Sequence, residues 1–353
     1  MSGKVYGFAI LGSGIIAPTH CKAIQVLPNA RLIACCDLER AKAEKLAADF
    51  AIPHVYDDYR EMLKREDVDV VEVVTWSGVH AEQGTAAALA GKHVICTKPM
   101  DTKLERIDAL IRTCHAAGVK LGATHQFRSY PSYRRLKDAI DAGRLGRLFL
   151  GNGFLKWWRG QEYYDSAAWR GTWALDGGGA LMNQAIHYVD MLTWLMGPVR
   201  RLRGLIATHC HDIEVEDCAS ATLEFANGAL GAFQGATCTY KGMPSRIEVH
   251  GERGNVVVEG DRTILWNVEG EPVEQGAAGA GSTTGPGGSG GSGVQSHIEQ
   301  IGDFLAAIEE DREPAISGSE ARRAVEIILA IYQSAWTGDT VEFPLSRDPI
   351  PPR

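Results

Sequence analysis

Residues 5–17, Val-Tyr-Gly-Phe-Ala-Ile-Leu-Gly-Ser-Gly-Ile-Ile-Ala, contain the strongest indication of the fold. A continuous apolar run ends in the pattern GxGxxA at 12–17, and a helical apolar stripe follows over 16–27. In a strand–turn–helix unit the first Gly permits the tight turn, the second lets an anion approach the backbone, and the Ala allows close helix packing. Free N–H groups at the helix start favour phosphate. The stretch therefore predicts a dinucleotide pyrophosphate site at Gly12, Ser13, Gly14, Ile15 and Ile16.

Outward from this stretch, residues up to 126 alternate short apolar runs with helical patterns. The predicted strands are Val5–Leu11, Arg31–Asp37, Val68–Thr75, His93–Lys98 and Lys120–Gln126. The predicted helices between them are Ile16–Leu27, Arg40–Phe50, Val79–Ala90 and Leu104–Ala117. Apolar strands separated by helices indicate a parallel sheet covered on both faces. We therefore predict an α/β fold that begins with a doubly wound Rossmann domain over residues 1–126.

Beyond residue 126 the pattern changes to successive strands with short turns. A helix is predicted over 133–142, a long strand over 147–158, a helix over 180–196 after three glycines, and then six strand-like runs. Strands without intervening helices suggest a large, open and mostly antiparallel sheet, so residues 127–353 are predicted to form a second α/β domain for substrate binding and oligomerisation. The Gly/Ser-rich segment 276–293 is predicted to be a solvated surface loop, with a lid over the ligand as the alternative.

Composition excludes several classes of protein. The 353 residues carry a formal net charge of −8, which disfavours nucleic-acid binding because phosphate affinity depends on Lys and Arg. No apolar stretch is long enough to span a bilayer. The eight cysteines form no CxxC pair, so we predict reduced thiols, a cytoplasmic location and no metal site.

Asp37 lies 23 residues after Gly14, at the end of the second predicted strand. A carboxylate there accepts hydrogen bonds from the adenosine ribose hydroxyls and repels a 2′-phosphate, so we predict NAD(H) in preference to NADP(H). Arg40 is close in sequence and leaves use of both cofactors open. The alternative is a domain that binds no dinucleotide, with Asp37 as a helix N-cap.

Lys98 ends another predicted strand, in Cys96-Thr97-Lys98-Pro99. Ligands of doubly wound sheets bind outside the carboxyl ends of the strands, so Lys98 is expected to point toward the nicotinamide and to lower the pKa of a substrate hydroxyl. A Lys–Pro bond can be cis, which sets the direction of the side chain. The alternative is a solvated lysine.

The helix after the three glycines carries a second group of candidates. Asn183 and His187 are four residues apart and share a helix face, and Asp190 follows three residues later. His187 has the chemistry of a general base or acid. Asp190 orients it or acts elsewhere, and the alternative for His187 is a hydrogen-bonded core histidine.

With these motifs together, the sequence resembles the family named for glucose–fructose oxidoreductase, inositol dehydrogenase and a rhizopine-catabolism protein (Gfo/Idh/MocA). The resemblance covers nearly the whole chain, through 12–17, Asp37, SGVHAEQGTAAALAGKHVICTKP at 77–99, HQFRSYP at 125–131, Trp169-Arg170 and GGGALMNQAIH at 177–187. It implies a Rossmann domain, a second domain whose open sheet faces a partner subunit, and catalytic roles for Lys98 and His187. The cofactor residues that follow are Thr75, His80, Thr97, Lys98, Trp169 and Arg170.

Two departures from the family pattern concern the acid–base groups. Thr97 replaces the usual Glu before the lysine, and Asn183 replaces an Asp often found four residues before the histidine. An amide does not exchange a proton usefully, so Asn183 is predicted to hold a substrate hydroxyl, which leaves acid–base work to Lys98 and His187.

The predicted function is hydride transfer between NAD(H) and a hydroxyl or carbonyl carbon of a sugar, polyol or sugar derivative. The predicted substrate residues are Lys98, Gln126, Arg128, Trp157, Arg159, Tyr163, Tyr164, Asn183 and His187. The arginines leave a sugar acid or nucleotide-sugar open. Two alternatives are an enzyme that keeps NAD bound and oxidises its substrate transiently, and a non-catalytic NAD(H)-binding regulator. A homodimer or homotetramer is expected.

Overall fold

The computed structural model describes residues 4–276 and 292–351. It divides into two units, Met1–Gln126 with Gly291–Arg322, and Phe127–Gly290 with Arg323–Arg353. The predicted second domain contained all residues after 126, whereas in the structure the segment 291–322 belongs with the first unit. Residues 277–291 of the Gly/Ser-rich segment lie outside the described residues.

The first unit contains a six-stranded parallel sheet. Its strands are β1 (Tyr6–Leu11), β2 (Ala30–Cys36), β3 (His54–Tyr56), β4 (Val70–Val73), β5 (His93–Cys96) and β6 (Leu121–Ala123). They lie in the order β3-β2-β1-β4-β5-β6, which is the doubly wound dinucleotide-binding order. The predicted Rossmann fold is therefore confirmed. The order reverses between β1 and β4, so ligands are expected at the carboxyl ends of these strands.

Helices α1 (Ala17–Val26), α2 (Arg40–Phe50), α3 (Tyr59–Leu63), α4 (His80–Leu89) and α5 (Leu104–Ala117) connect these strands. The helix Ser292–Glu309 joins them from the far end of the chain. Its Phe304 and Leu305 share one buried cluster with Phe8 and Ile10 of β1 and Ile24 of α1. This cluster holds β1 and α1 firmly, and with them the glycine turn between them.

The second unit contains a nine-stranded mixed sheet. Its strands are β7 (Leu148–Lys156), β8 (Val199–Ala207), β9 (Cys218–Phe225), β10 (Leu230–Ala236), β11 (Arg246–Gly251), β12 (Gly254–Glu259), β13 (Arg262–Val268), β14 (Glu274–Gln275) and β15 (Val341–Glu342). The order is β14-β13-β12-β11-β7-β10-β9-β8-β15. All neighbours are antiparallel except β7 and β10, so the predicted mostly antiparallel sheet is confirmed.

The remaining helices are α6 (Pro131–Asp141), α7 (Gln161–Asp165), α8 (Ile186–Met196), α9 (Ser292–Glu309, described above) and α10 (Gly318–Thr337). Among the described residues, no helix combines the length and the apolar character needed to cross a membrane.

Two local predictions were wrong. The predicted strand Lys120–Gln126 ends at Ala123, and Gln126 begins a short 3-10 helix. The predicted single helix over 180–196 is a π-helix at Ala180–Ala185 followed by α8. Its first N–H groups donate to Glu216, from another part of the chain, which the local helical pattern does not reveal. One-turn π-helices are frequent at functional sites.

Candidate active site

The glycine turn of the first unit leaves room for an anion. Gly12 has φ +104, and a Cβ there would lie 2.8 Å from the carbonyl oxygen of Val74, so a side chain is excluded. A Cβ on Gly14 would meet nothing within 4 Å. Ala17, at the start of α1, is fully buried and lets the helix pack closely. The turn therefore fits a dinucleotide pyrophosphate at the N-terminus of α1.

Asp37 lies directly after β2 and is held beside this turn. Its Oδ2 accepts a hydrogen bond from Ser13 N at 2.7 Å, and its Oδ1 accepts one from Glu39 N at 2.9 Å. Arg40 is exposed, and its Nε donates to Glu44 Oε1 at 2.9 Å. A fixed negative charge beside the turn, with the nearby guanidinium engaged elsewhere, fits ribose hydroxyls better than a 2′-phosphate.

We expect Asp37→Ala to weaken NAD(H) binding and to narrow its advantage over NADP(H), because the variant loses the carboxylate that accepts from ribose hydroxyls and repels phosphate. Dissociation constants for NADH and NADPH, measured by fluorescence titration, test this. Asp49→Ala, which removes an exposed carboxylate at the other end of α2, is the control. Tighter binding of NADPH than NADH by the wild-type protein would show that Asp37 does not have this role.

Three further predicted cofactor residues lie at the carboxyl ends of β1 and β4. Ile15 is 89% exposed and Ile16 is half-buried. Thr75, which follows β4, donates from Oγ1 to Gln83 Oε1 at 2.5 Å. These residues lie at the end of the sheet where a doubly wound fold binds its ligands, so their contact with the cofactor stays a prediction.

Lys98 follows β5 after Thr97, and both side chains are half-buried. The Lys98–Pro99 peptide bond is cis. His80 is buried, and its Nδ1 donates to the Pro99 carbonyl oxygen at 2.7 Å, so the neutral ring carries its proton on Nδ1. Burial lowers the pKa of His80, which keeps the ring neutral. His80, predicted as a cofactor residue, thus binds the backbone next to Lys98.

Asp101 was not among the predicted site residues; it is fully buried and lies three residues after Lys98. Its Oδ2 accepts from Ala81 N at 3.1 Å, in the first turn of α4, and its Oδ1 accepts from Thr102 N at 2.8 Å. Burial raises the pKa of this carboxyl. Asp101 therefore ties the segment that carries Lys98 to α4.

In the second unit, Glu216 holds the start of the helix that carries Asn183 and His187. Glu216 Oε2 accepts from Gly179 N at 3.0 Å, and Oε1 accepts from Leu181 N at 2.8 Å and from the Tyr332 hydroxyl at 3.0 Å. A Cβ on Gly179 would lie 1.8 Å from the Glu216 carbonyl oxygen, so only glycine permits this approach. Burial raises the pKa of Glu216 to about 7.

Tyr163 is the centre of a polar network next to Asn183. Its hydroxyl lies 3.5 Å from Asn183 Oδ1, accepts from Gln184 Nε2 at 2.9 Å, and accepts from Arg170. Asn183 Nδ2 donates to Asp176 Oδ1 at 3.0 Å. The carboxyl group absent from position 183 is therefore supplied next to it by Asp176. Burial raises the pKa of Tyr163, so the hydroxyl keeps its proton.

Two guanidinium groups face the ring of Tyr163. Arg159 lies 5.1 Å and Arg170 lies 4.3 Å from its centroid, and they also lie over Trp157 at 5.5 Å and Trp169 at 4.5 Å, respectively. Among the described residues, the buried Nε atoms of Arg159 and Arg170 have no hydrogen-bond partner. A buried charged donor without a hydrogen-bond partner lowers the stability of the fold, because it has lost its water and gained no acceptor. A ligand with several acceptor oxygens would supply the missing partners.

His187 is buried in α8 and stacks on Phe127, with ring centroids 4.6 Å apart. Asp190 binds Arg128 in a buried pair, with Arg128 Nε 2.8 Å from Oδ2 and NH2 2.5 Å from Oδ1. The sequence left two roles open for Asp190: to orient His187 or to act elsewhere. The pair with Arg128 favours the second role. A substrate contact by Arg128 stays a prediction.

The last two predicted substrate residues are buried. The Tyr164 hydroxyl and Thr237 Oγ1 are hydrogen-bonded at 2.8 Å. Gln126 lies at the start of the 3-10 helix. Tyr164 therefore has a structural partner, and its contact with a substrate stays a prediction.

Comparison with known proteins gives a family match in each of the two units. Residues 6–125 match the GFO/IDH/MocA oxidoreductase family with an NAD-binding Rossmann fold, and residues 133–257 match the GFO/IDH/MocA C-terminal domain. The chain belongs to the GFO/IDH/MocA family. It is an NAD-dependent oxidoreductase, as the sequence predicted.

Relatives in this family cover nearly the whole chain. The WlbA dehydrogenase from Bordetella pertussis, solved in complex with NADH and UDP-GlcNAcA, is 33% identical with a TM-score of 0.86, covering 98% of this chain and 100% of that one. Inositol 2-dehydrogenase from Rhizobium meliloti is 28% identical over 341 residues, 93% of this chain and 96% of its own. D-apiose dehydrogenase from Paraburkholderia graminis is 25% identical over 96% of this chain and 90% of its own.

Proposed function

We propose that this GFO/IDH/MocA enzyme transfers a hydride between NAD(H) and a ring carbon of a sugar derivative that carries an anionic group, such as a sugar acid or nucleotide-sugar. The observation that carries the anionic group is the guanidinium of Arg159, whose buried Nε has no hydrogen-bond partner among the described residues. Carboxylates and phosphates match the guanidinium fork. Aromatic rings of Trp157 and Tyr163 suit the C–H faces of a sugar.

In this proposal the chain's own residues manage the hydroxyl of the substrate. NAD, when bound, accepts or donates the hydride. Lys98, cationic at rest, stabilises the negative charge that develops on the substrate oxygen, and His187 takes or returns the proton. Asn183, oriented by Asp176 and Tyr163, holds a neighbouring hydroxyl. Trp169 and Arg170 are proposed to contact the nicotinamide end.

Screening the purified protein with NAD⁺ against polyols, neutral sugars, sugar acids and nucleotide-sugars, followed by NADH absorbance, tests this function. We expect the highest kcat/KM with an anionic sugar. Arg159→Met should lower kcat/KM for that substrate more than for its neutral counterpart, whereas Arg112→Met, on an exposed position of α5, should change neither. Preference for a neutral polyol that Arg159→Met leaves unchanged would exclude the anionic substrate. Cofactor retained through purification with no net NADH would indicate transient oxidation.

We expect His187→Ala to lower kcat by about two orders of magnitude, because it removes the group that accepts the hydroxyl proton. The dependence of kcat on pH should also flatten between about pH 6 and 8, where imidazole groups titrate. Asn183→Ala is the matched comparison on the same helix and should act mainly on KM, as expected for a positioning group. A His187→Ala enzyme with the wild-type pH profile would exclude His187 as the base.

We also propose that the chain forms a homodimer or homotetramer through the outward face of the nine-stranded sheet. Leu205 of β8 and Leu230 of β10 are 72% and 58% exposed, and both pair with outward residues of β9. Exposed leucines on one sheet face favour an isologous contact. Light scattering at micromolar concentration should give a multiple of the chain mass, and Leu205→Glu should shift it toward the monomer. A monomeric wild-type mass would contradict this assembly.

A cytoplasmic location is part of the proposal. All eight cysteines are free thiols, which supports a reducing compartment.

A further inference from the structure

Three segments of the second unit bring thiol and carboxylate groups together at one end of the sheet. Cys210 follows β8, Asp217 precedes β9 and Cys238 follows β10. One ligand atom from each, the two Sγ atoms and a carboxylate oxygen, all lie within 4.8 Å of one another. We propose that Cys210, Asp217 and Cys238 form a zinc-binding site, hereafter the thiol cluster.

Asp217 is fully buried and holds the loop that carries Cys210. Its Oδ1 accepts from His209 N at 2.9 Å, and its Oδ2 accepts from Cys210 N at 2.8 Å and from His211 Nδ1 at 2.9 Å. A carboxylate offers about four lone-pair directions. These bonds occupy three of them and leave one on Oδ1, so Asp217 can fix the loop and still bind a cation.

The spacing and the donor atoms fit zinc. Tetrahedral zinc with Zn–S bonds of about 2.3 Å separates its sulfur ligands by about 3.8 Å. The three ligand atoms lie within 4.8 Å of one another, so a small rotation of the exposed Cys210 side chain can complete the site. Thiolates favour zinc over magnesium and calcium, which prefer oxygen ligands. The thiol of Cys218 interacts with that of Cys238, so Cys218 is a candidate for the fourth ligand.

The thiol cluster is joined to the proposed substrate residues through His211. His211 Nε2 lies 2.9 Å from the Arg159 carbonyl oxygen, and its ring centroid lies 4.8 Å from that of Tyr164. Zinc bound to Cys210 would therefore hold in place the loop that supports Arg159. Zinc there would support residues proposed to bind the substrate and none of the groups proposed to move the proton, so its effect on turnover should be in KM rather than in kcat.

The experiment uses the full chain, expressed without a polyhistidine tag and passed through metal-free buffer. We expect about one zinc per chain by plasma mass spectrometry. Replacing zinc with cobalt(II) should give the intense near-ultraviolet thiolate-to-cobalt absorption. Cys210→Ser should lower zinc affinity at least about a hundredfold, measured by competition with a chromophoric chelator, because thiolate ligands dominate the affinity. The control is Cys114→Ala, which removes a buried thiol of α5. It should have the zinc content and zinc affinity of the wild type.

Cys210 is exposed, so Cys210→Ser should fold, and its circular dichroism spectrum will show whether it has. Wild-type protein that holds no zinc and shows no cobalt–thiolate band would overturn the proposal. Equal zinc affinity in Cys210→Ser and the wild type would also overturn it. Loss of two titratable thiols in the wild type without metal would show a disulfide in place of the metal site. The metal measurements do not depend on the substrate, so they stand even if the proposed function fails.

Discussion

Lys98→Met is expected to lower kcat by about two to four orders of magnitude, while the dissociation constant for NAD stays near that of the wild type. The lysine carries the only positive charge proposed to face the reacting oxygen, and methionine keeps its length without the charge. Steady-state kinetics on the true substrate and fluorescence titration with NADH measure the two quantities separately. The loss should appear in kcat and kcat/KM alike, because the interaction strengthens in the transition state.

The matched control for this variant is Lys103→Met. Lys103 is exposed and lies five residues further along the same segment, so its loss should leave turnover unchanged. Near-wild-type turnover in Lys98→Met would refute both the mechanism and our placement of the active site at the end of β5. A parallel loss of NAD binding and turnover would instead assign Lys98 to the cofactor.

The second large effect concerns the free energy of unfolding and its dependence on pH. The pKa of Glu216 is raised by burial from 4.5 to about 7 in the folded protein. Because its pKa is higher in the folded state, Glu216 binds its proton more tightly there than in the unfolded chain. Its contribution to the free energy of unfolding is therefore fully present below about pH 4.5. It is lost as pH rises through about 7, by up to roughly 3 kcal/mol.

Glu216→Gln should remove this contribution, because an amide does not titrate. The free energy of unfolding, measured with urea at several values between pH 5 and 8, should therefore fall less steeply with pH in the variant than in the wild type. Glu269→Gln changes an exposed carboxylate of the same unit and serves as the control. Identical slopes in the wild type and Glu216→Gln would contradict the raised pKa.

Local sequence patterns predicted much of the secondary structure. Helices α2 and α5 begin and end at the predicted residues. The three-residue strand β3 and the five-residue helix α3 were not predicted, because so few residues show no clear periodicity. The π-helix at 180–185 was taken for α-helix, since both bury a similar apolar face.

The candidate site could be predicted only in part. Gly12, Asp37 and Lys98 were identifiable because a strand, a turn and a helix follow one another within a short stretch. Asp176 stands directly before the three glycines, where its carboxylate was a signal that the sequence analysis did not use. Glu216 carried no such signal, because it lies 35 residues or more from the N–H groups that it binds.

By itself the sequence determined the class of fold, the NAD-binding turn and the family, because each rests on periodicity or on residues close together in the chain. Only the tertiary structure decided which polar groups meet. It joined Arg128 to Asp190 across 62 residues, and it grouped Cys210, Asp217 and Cys238 from three segments. Such pairings depend on the register and packing of distant strands, which no local pattern encodes.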